Sequence, residues 1–189
     1  MSRIGLMGGT FDPPHLGHLL IAEQAREQLE LDEVWFLPAA IPPHKAGFSR
    51  ADDRIEMTRR AISGHPDFKL NLIEFERAEP SYTVETMKRL REQYPADTFF
   101  FLIGADSLDA LEKWHDYETL TTLVTFGAVA RPGSRYRIPS RADVRTIDMP
   151  QLEISSTDIR ERTKRNKSIT YLVPSEVETY IKEHDLYDV

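Results

Sequence analysis

Apolar and polar positions alternate along this chain in two rhythms that take turns. Arg3 to Met7 is a short apolar run of strand character, and Leu16 to Leu29 follows with Leu19, Leu20, Ala22, Glu23 and Arg26 at helical spacing. Glu33-Val34-Trp35-Phe36-Leu37 predicts a second strand, ended by Pro38, and Ala39 to Ser49 has the Pro and Gly content of a loop, with Trp35 assigned to the core. A helix capped by Asp52 or Asp53 is expected to run to about Ser63, with Ile55, Met57, Ala61 and Ile62 as its apolar side. Lys69 to Phe75 predicts a third strand and Thr83 to Gln93 a helix. Thr98 to Ile103 contains the most apolar run, Phe99-Phe100-Phe101-Leu102-Ile103, and is expected to be a central strand buried on both faces. Leu123 to Ala130 and 144–148 complete the strands; helices are expected from Ser155 to about Lys164 and from near Pro174.

Strand and helix in alternation predict right-handed βαβ units, hence an α/β fold: a Rossmann-like doubly wound parallel sheet with flanking helices. The chain of 189 residues fits one domain, 1–189, with a small C-terminal helical part from about 150 to 189. In such sheets a ligand lies beyond the carboxyl ends of the strands. Three loops follow strands there: 8–15, 38–50 and 104–116.

Composition narrows the chemistry. Cysteine is absent, which excludes disulfide scaffolds, Cys-type zinc sites and thiol catalysis, and agrees with a cytoplasmic chain. No apolar run reaches the ~20 residues of a membrane span, and the N-terminus lacks signal-peptide character. A net charge of −7 argues against general nucleic-acid binding. Residues 131–167 run the other way, with ten Lys/Arg against five Asp/Glu. That segment is either a solvated surface or a site for a small anion.

The first loop, Gly8-Gly9-Thr10-Phe11-Asp12-Pro13-Pro14-His15-Leu16-Gly17-His18, carries the sharpest signal. Paired glycines after a strand let a phosphate approach the backbone, and the helix behind them offers N–H groups and a positive dipole end. The spacing is neither the dinucleotide fingerprint nor a Walker A loop. His15 and His18 stand three apart on the first helical turn, and Gly17 leaves space where a flat base or ribose could lie. A zinc pair is usually spaced by four, and no third histidine is near. A second feature, Ile154-Ser155-Ser156-Thr157-Asp158-Ile159-Arg160, reads both as a helix cap and as a hydroxyl- and cation-rich helix start suited to phosphate.

Together with Pro42-Pro43-His44-Lys45, Pro80-Ser81-Tyr82-Thr83, Ile103-Gly104-Ala105-Asp106-Ser107, Lys113-Trp114 and Ala130-Arg131-Pro132-Gly133, these two signatures resemble the bacterial nicotinate-nucleotide adenylyltransferases, within the HxGH nucleotidyltransferase superfamily, over essentially the whole chain. The resemblance implies adenylyl transfer from ATP to nicotinate mononucleotide, giving nicotinic acid adenine dinucleotide and pyrophosphate, in NAD biosynthesis. It implies catalytic roles for His15 and His18. ATP is expected at Gly8, Gly9, Thr10, Phe11, Gly17, His18, Gly104, Asp106, Ile154, Ser155, Ser156, Thr157 and Arg160. The mononucleotide is expected at Thr10, His15, Lys45, Thr83, Trp114 and Arg131.

Local alternatives stand beside these roles. Asp106 could equally cap a helix, Thr83 likewise, Trp114 could cover the core, and Lys45 could be solvated. Mg²⁺ is expected to travel with ATP, because no carboxylate cluster is visible to hold it alone. A homo-oligomer is compatible with the sequence, which specifies no interface. Competing readings are transfer to another phosphorylated acceptor such as phosphopantetheine or glycerol phosphate, a nucleotide sensor without turnover, and RNA binding through 131–167, a stretch whose one aromatic is Tyr136.

Overall fold

The computed structural model describes residues 1–43, 47–130, 137–150 and 152–187. Six strands form one all-parallel sheet: β1 (Arg3–Gly9), β2 (Glu33–Pro38), β3 (Phe68–Leu70), β4 (Thr98–Ile103), β5 (Thr125–Ala130) and β6 (Val144–Asp148). Their order in the sheet is β3-β2-β1-β4-β5-β6, so the chain works outward from β1 in one direction and then restarts beside it in the other. The α/β, Rossmann-like expectation is met.

Helices α1 (Leu16–Gln28), α2 (Ala51–Ile62), α6 (Ser156–Lys164) and α7 (Ser175–Glu183) cover one face; α3 (Thr83–Gln93), α4 (Ala105–Asp109) and α5 (Tyr117–Leu123) cover the other. Strand pleating decides which residue goes where. Ile4 and Leu6 of β1, with Phe99, Phe101 and Ile103 of β4, meet Val84, Met87 and Leu90 of α3 and Leu120 of α5. Met7, Phe100 and Leu102 point the other way, to Ala22 and Ala25 of α1 and to Ile159, Val177 and Ile181 near the C-terminus. The three phenylalanines of β4 thus serve both cores, as a doubly buried central strand should.

The point of reversal creates the crevice. Pairing of β1 with β4 ends at Leu6↔Phe101, whereas β1 stays paired with β2 as far as Gly9↔Pro38 and β4 with β5 as far as Ile103↔Ala128. Beyond Leu6 and Phe101 the two central strands part, each held by its outer neighbour.

Several boundaries differ from the sequence expectation. The third strand stops at Leu70, because the Asn71 side chain accepts the Ile73 N–H at 2.9 Å and turns the chain into a 3₁₀ turn at Ile73–Glu76. The 104–116 loop contains α4 and a second 3₁₀ turn, with Leu108 and Leu111 buried. Leu123 ends α5 rather than opening a strand, and β5 starts at Thr125. The second helix begins at Ala51, so Asp52 and Asp53 lie inside its first turn, facing the positive dipole end, instead of capping it. Its innermost residue is Arg54, fully buried, whereas Ile55 is half-exposed. Pro174 is the N-cap of α7.

Close packing of α1 against the sheet requires glycine in β5. A Cβ on Gly127 would lie 2.8 Å from Leu102 Cδ2 and 3.1 Å from both Ile147 Cδ1 and Leu29 Cδ1. Gly127→Val is expected to lower stability by about 1–3 kcal/mol through overpacking. The check is a lower urea midpoint at unchanged m-value; an unchanged midpoint would show that these side chains yield freely.

Candidate active site

The loop after β1 is built around its own side chains. The backbone at Gly8 is exposed, and at Gly9 and Thr10 partly so. The sides of these residues facing the cores are filled: a Cβ at Gly8 would meet the Phe101 ring at 2.9 Å, and one at Gly9 the Phe11 ring at 3.0 Å. Phe11 is buried in the left-handed region at φ 51°, a strained conformation for a bulky residue, and packs on Phe36 and edge-on against His18.

His15 is the N-cap of α1 and His18 lies one turn further on. The two rings stack, with centroids 3.7 Å apart, and the His15 backbone N–H donates to His18 Nδ1 at 3.1 Å. In the neutral ring that bond leaves the His18 proton on Nε2, which makes Nε2 a donor. His15 is only 7% exposed, its Nδ1 is buried without a partner, and burial lowers its pKa to about 4. His15 is therefore neutral at pH 7, and His18, half-exposed, is the more accessible of the pair. Gly17 serves this stack: a Cβ there would lie 3.0 Å from the His15 ring. The space that the sequence suggested for a base or ribose is occupied by the neighbouring imidazole.

Charged groups on other elements hold the loop. Arg54 Nη1 donates to Thr10 O (3.0 Å) and Ala39 O (2.8 Å), Nη2 to Ala40 O (3.4 Å) and Nε to Ser49 O (3.1 Å). One buried guanidinium thus fixes both the first loop and the segment after β2, with burial pushing its pKa down and the nearby Asp12 opposing that. The Asp12 carboxylate is 4% exposed; Oδ1 accepts from the Tyr187 hydroxyl (2.7 Å) and Oδ2 from the Ser49 N–H (3.1 Å). Burial and the adjacent carboxylate push the Tyr187 phenol up, so it stays a donor. Arg54, Asp12 by itself and Tyr187 carry no role in the sequence motifs. A signal for Arg54 existed: Arg54, Met57, Thr58 and Ala61 share one helical stripe, and all four are buried.

The second signature reaches the same loop. Ser155 is the N-cap of α6, its Oγ accepting from the Asp158 N–H at 3.0 Å. Ser156 Oγ donates to Pro13 O at 2.9 Å, and Arg160 Nη1 to Asp12 O at 2.8 Å. Thr157 is exposed beside the other end of that guanidinium, 3.4 Å away. Gly104, Asp106, Ile154 and Ser155 line one cleft of about 650 Å³, with Ile21 of α1, one helical turn past His18, in the same wall. That volume is in the range of small-molecule sites. Gly104 is the N-cap of α4, so Asp106 sits in the first turn, and a Cβ on Gly104 would meet nothing within 4 Å.

On the opposite face of the sheet stands an aromatic wall. Trp114 is half-buried and edge-on to Phe101, with centroids 5.9 Å apart, and Tyr82 packs on His115 at 4.4 Å. Thr83 opens α3, whose N-cap is Tyr82, and no side chain caps that helix start. Two expected contacts, Lys45 and Arg131, lie outside the described residues.

Two features now stand together: a phosphate-type loop with a stacked His pair at a strand parting, and a nucleoside-sized cleft beside it. A family model described as cytidylyltransferase-like matches residues 6–162. The chain is 46% identical over 190 residues to nicotinate-nucleotide adenylyltransferase of Bacillus subtilis, with 100% of both chains covered. It is 59% identical over 186 residues to a protein of Exiguobacterium sibiricum described as a probable nicotinate-nucleotide adenylyltransferase, covering 98% of each. The chain belongs to the nicotinate-nucleotide adenylyltransferases. Like other members of that family it is a nucleotidyltransferase. A solved structure of Plasmodium falciparum nicotinic acid mononucleotide adenylyltransferase complexed with NaAD shares the fold, with a TM-score of 0.82 at 22% identity, covering 99% of this chain and 98% of that one. A second structure of the Plasmodium protein, complexed with APC, gives a TM-score of 0.80 at 21% identity, covering 99% and 98%.

In this nucleotidyltransferase the buried His15 links stability to pH. The folded chain excludes a proton from His15 down to about pH 4, whereas the unfolded chain accepts it near 6.5. The contribution of His15 is present in full above pH 6.5 and is lost as pH falls towards 4, amounting to about 3 kcal/mol. His15→Asn is expected to flatten the stability curve in this window, read as urea midpoints at several pH values. An equally steep fall in the variant would place the acid sensitivity elsewhere.

Proposed function

We infer that the chain transfers the adenylyl group of ATP to the 5′-phosphate of nicotinate mononucleotide, forming nicotinic acid adenine dinucleotide and pyrophosphate in NAD biosynthesis. The observation that carries this reading is the Gly8–Thr10 turn at the parting of β1 and β4, exposed at Gly8 and partly exposed at Gly9 and Thr10, with the His18 donor at the head of α1 beside it. The nucleophile is a phosphate monoester whose second pKa is about 6, so it is already an anion at neutral pH and needs no general base. The barrier is the approach of two anions. It is met by positioning and by donors aimed at the α-phosphate oxygens and at the leaving pyrophosphate, where charge is carried in the transition state.

His18 Nε2–H serves as donor to the α-phosphate of ATP. Neutral His15, stacked behind it, holds the ring and its tautomer while adding no charge that would need solvation. The adenosine lies in the cleft of Gly104, Asp106, Ile154 and Ser155, where the open side of Gly104 admits the flat base and the Asp106 carboxylate accepts from ribose hydroxyls. The exposed Thr157 and the outer end of Arg160 face the polyphosphate from α6. ATP enters as its magnesium complex, the cation being part of that substrate. The mononucleotide occupies the other side of the loop. Trp114 stacks on its cationic pyridine ring, and the uncapped start of α3 at Thr83 offers N–H groups and a positive dipole end to the ring carboxylate. Lys45 and Arg131 would add charge to the phosphate side.

No helix among the described residues is long and apolar enough to cross a membrane. We place the reaction in the cytoplasm, where ATP is made and used.

Pyrophosphate release with magnesium and ATP tests the reading. Nicotinate mononucleotide is expected to be preferred strongly over nicotinamide mononucleotide and 4′-phosphopantetheine. Equal use of the two pyridine nucleotides would remove the carboxylate contact, and turnover with phosphopantetheine alone would replace the acceptor. In the same assay His18→Ala is expected to lower kcat by about 10²–10³ with the fold intact. Near-full activity in a folded variant would deny His18 its role.

A further inference from the structure

The reaction loop is tied to the far end of the chain at one buried carboxylate. Asp12 stands between Phe11, in the left-handed region, and Pro13, two residues after Thr10 and three before His15. Three separate segments converge on it: Tyr187 and Ser49 on its carboxylate, Arg160 on its carbonyl. The Tyr187 contact spans 175 residues of sequence. To make it, the chain after α7 takes left-handed backbone at Asp185 (φ 48°) and again at Tyr187 (φ 68°). A bulky residue keeps such a conformation only where its surroundings hold it there. The Tyr187 ring packs against the core beside α2, with its hydroxyl 3.8 Å from Met57 Sδ.

This arrangement does more than cover the core, because a phenylalanine would cover it equally well. The hydroxyl engages one oxygen of Asp12, leaving the other for the Ser49 N–H, so the carboxylate is oriented from two sides. The same orientation sets the carbonyl that Arg160 uses and the peptide leading into Pro13-Pro14-His15. We propose that Tyr187 is a positioning residue for adenylyl transfer, acting through Asp12 to hold the phosphate loop in register with the 49–50 segment and with α6. The proposal rests on the reading of the reaction given above. It adds a requirement that the reading does not contain: the segment after α7 is part of the catalytic geometry.

Tyr187→Phe removes a single oxygen. Misplacement of reacting groups by a fraction of an ångström acts on the chemical step more than on ground-state binding. The variant is expected to lose about tenfold to a hundredfold in kcat. KM for ATP and for nicotinate mononucleotide should stay within about threefold of wild type. A residue serving stability alone would instead lower the melting temperature and leave kcat at 15–25 °C unchanged.

Asp12→Asn keeps the shape of the side chain while removing its charge and one acceptor oxygen, and is expected to show the same kcat loss. It also stands in for Tyr187→Phe should that protein not fold. The double variant decides the route: acting through Asp12, the two changes together should cost no more than Asp12→Asn alone. Multiplying losses would overturn the proposal, as would a folded Tyr187→Phe or Asp12→Asn with kcat within twofold of wild type. Failure of the reaction reading is seen separately, in wild-type protein that does not use nicotinate mononucleotide. The ratio of variant to wild type is then taken with whichever phosphorylated acceptor turns over.

Discussion

One guanidinium holds the reactive end of this sheet together. Arg54 is fully buried, and its three nitrogens donate to the carbonyls of Thr10, Ala39, Ala40 and Ser49. Those residues belong to the two loops that follow β1 and β2, whose ladder pairing ends at Gly9↔Pro38. Carbonyls left without donors in such a place would each cost free energy. A planar fork with five N–H groups answers all four at once, one more than the three donors of a lysine ammonium could serve. Burying the charge is itself expensive, and Asp12 nearby offsets part of it. The loop after β1 is thus held from beneath by a cation that donates to four protein carbonyls.

That placement separates two electrostatic tasks. The cation that neutralises the loop carbonyls, Arg54, is inside, whereas the His18 ring, Thr157 and the outer end of Arg160 are left nearer to solvent. The histidines divide in the same way. His15 is dry and neutral at physiological pH, and His18 is wetter, with its donor atom fixed by the backbone N–H of its partner. A lysine in the position of His18 would bind ATP and product alike. An imidazole donor on a rigid stack contributes less to ground-state attraction and can be aimed at the atom that changes charge.

The sequence displayed the fold well because its information was local. Six runs marked strands, the Phe-rich one among them marked the centre, and the Gly8–His18 motif marked the crevice. Where it misled, a single side chain or a distant contact had overruled the pattern. Asn71 ended a strand that alternation would have continued. Ile55 drew attention from Arg54: the stripe of Arg54, Met57, Thr58 and Ala61 marks Arg54 as inward, but the role of its guanidinium depends on acceptors in two loops. Gly17 looked like room for a ligand, but the room is filled by the ring two residues before it. Ser155, Ser156 and Arg160 looked like phosphate ligands; the structure finds the two serines and one end of Arg160 engaged with protein, leaving Thr157 and the other end of the guanidinium outward.

Those protein contacts bring together two signatures that are joined across 143 residues at Pro13 and Ser156. Ser156 and Arg160 of α6 bond to the carbonyls of Pro13 and Asp12, so α6 is aligned by the first loop itself. On the other side Phe101 lies against Gly8 and Trp114 stands edge-on to Phe101, so the aromatic wall is registered to the loop through one ring. Both subsites therefore take their position from the same eight residues, 8–15. For a reaction that consists of bringing one phosphate in line with another, a common reference for both substrates matters more than strength of binding to either. A mobile lid could close each subsite alone, but it could not fix the angle between them; a short, strained loop pinned by Arg54 and Asp12 can.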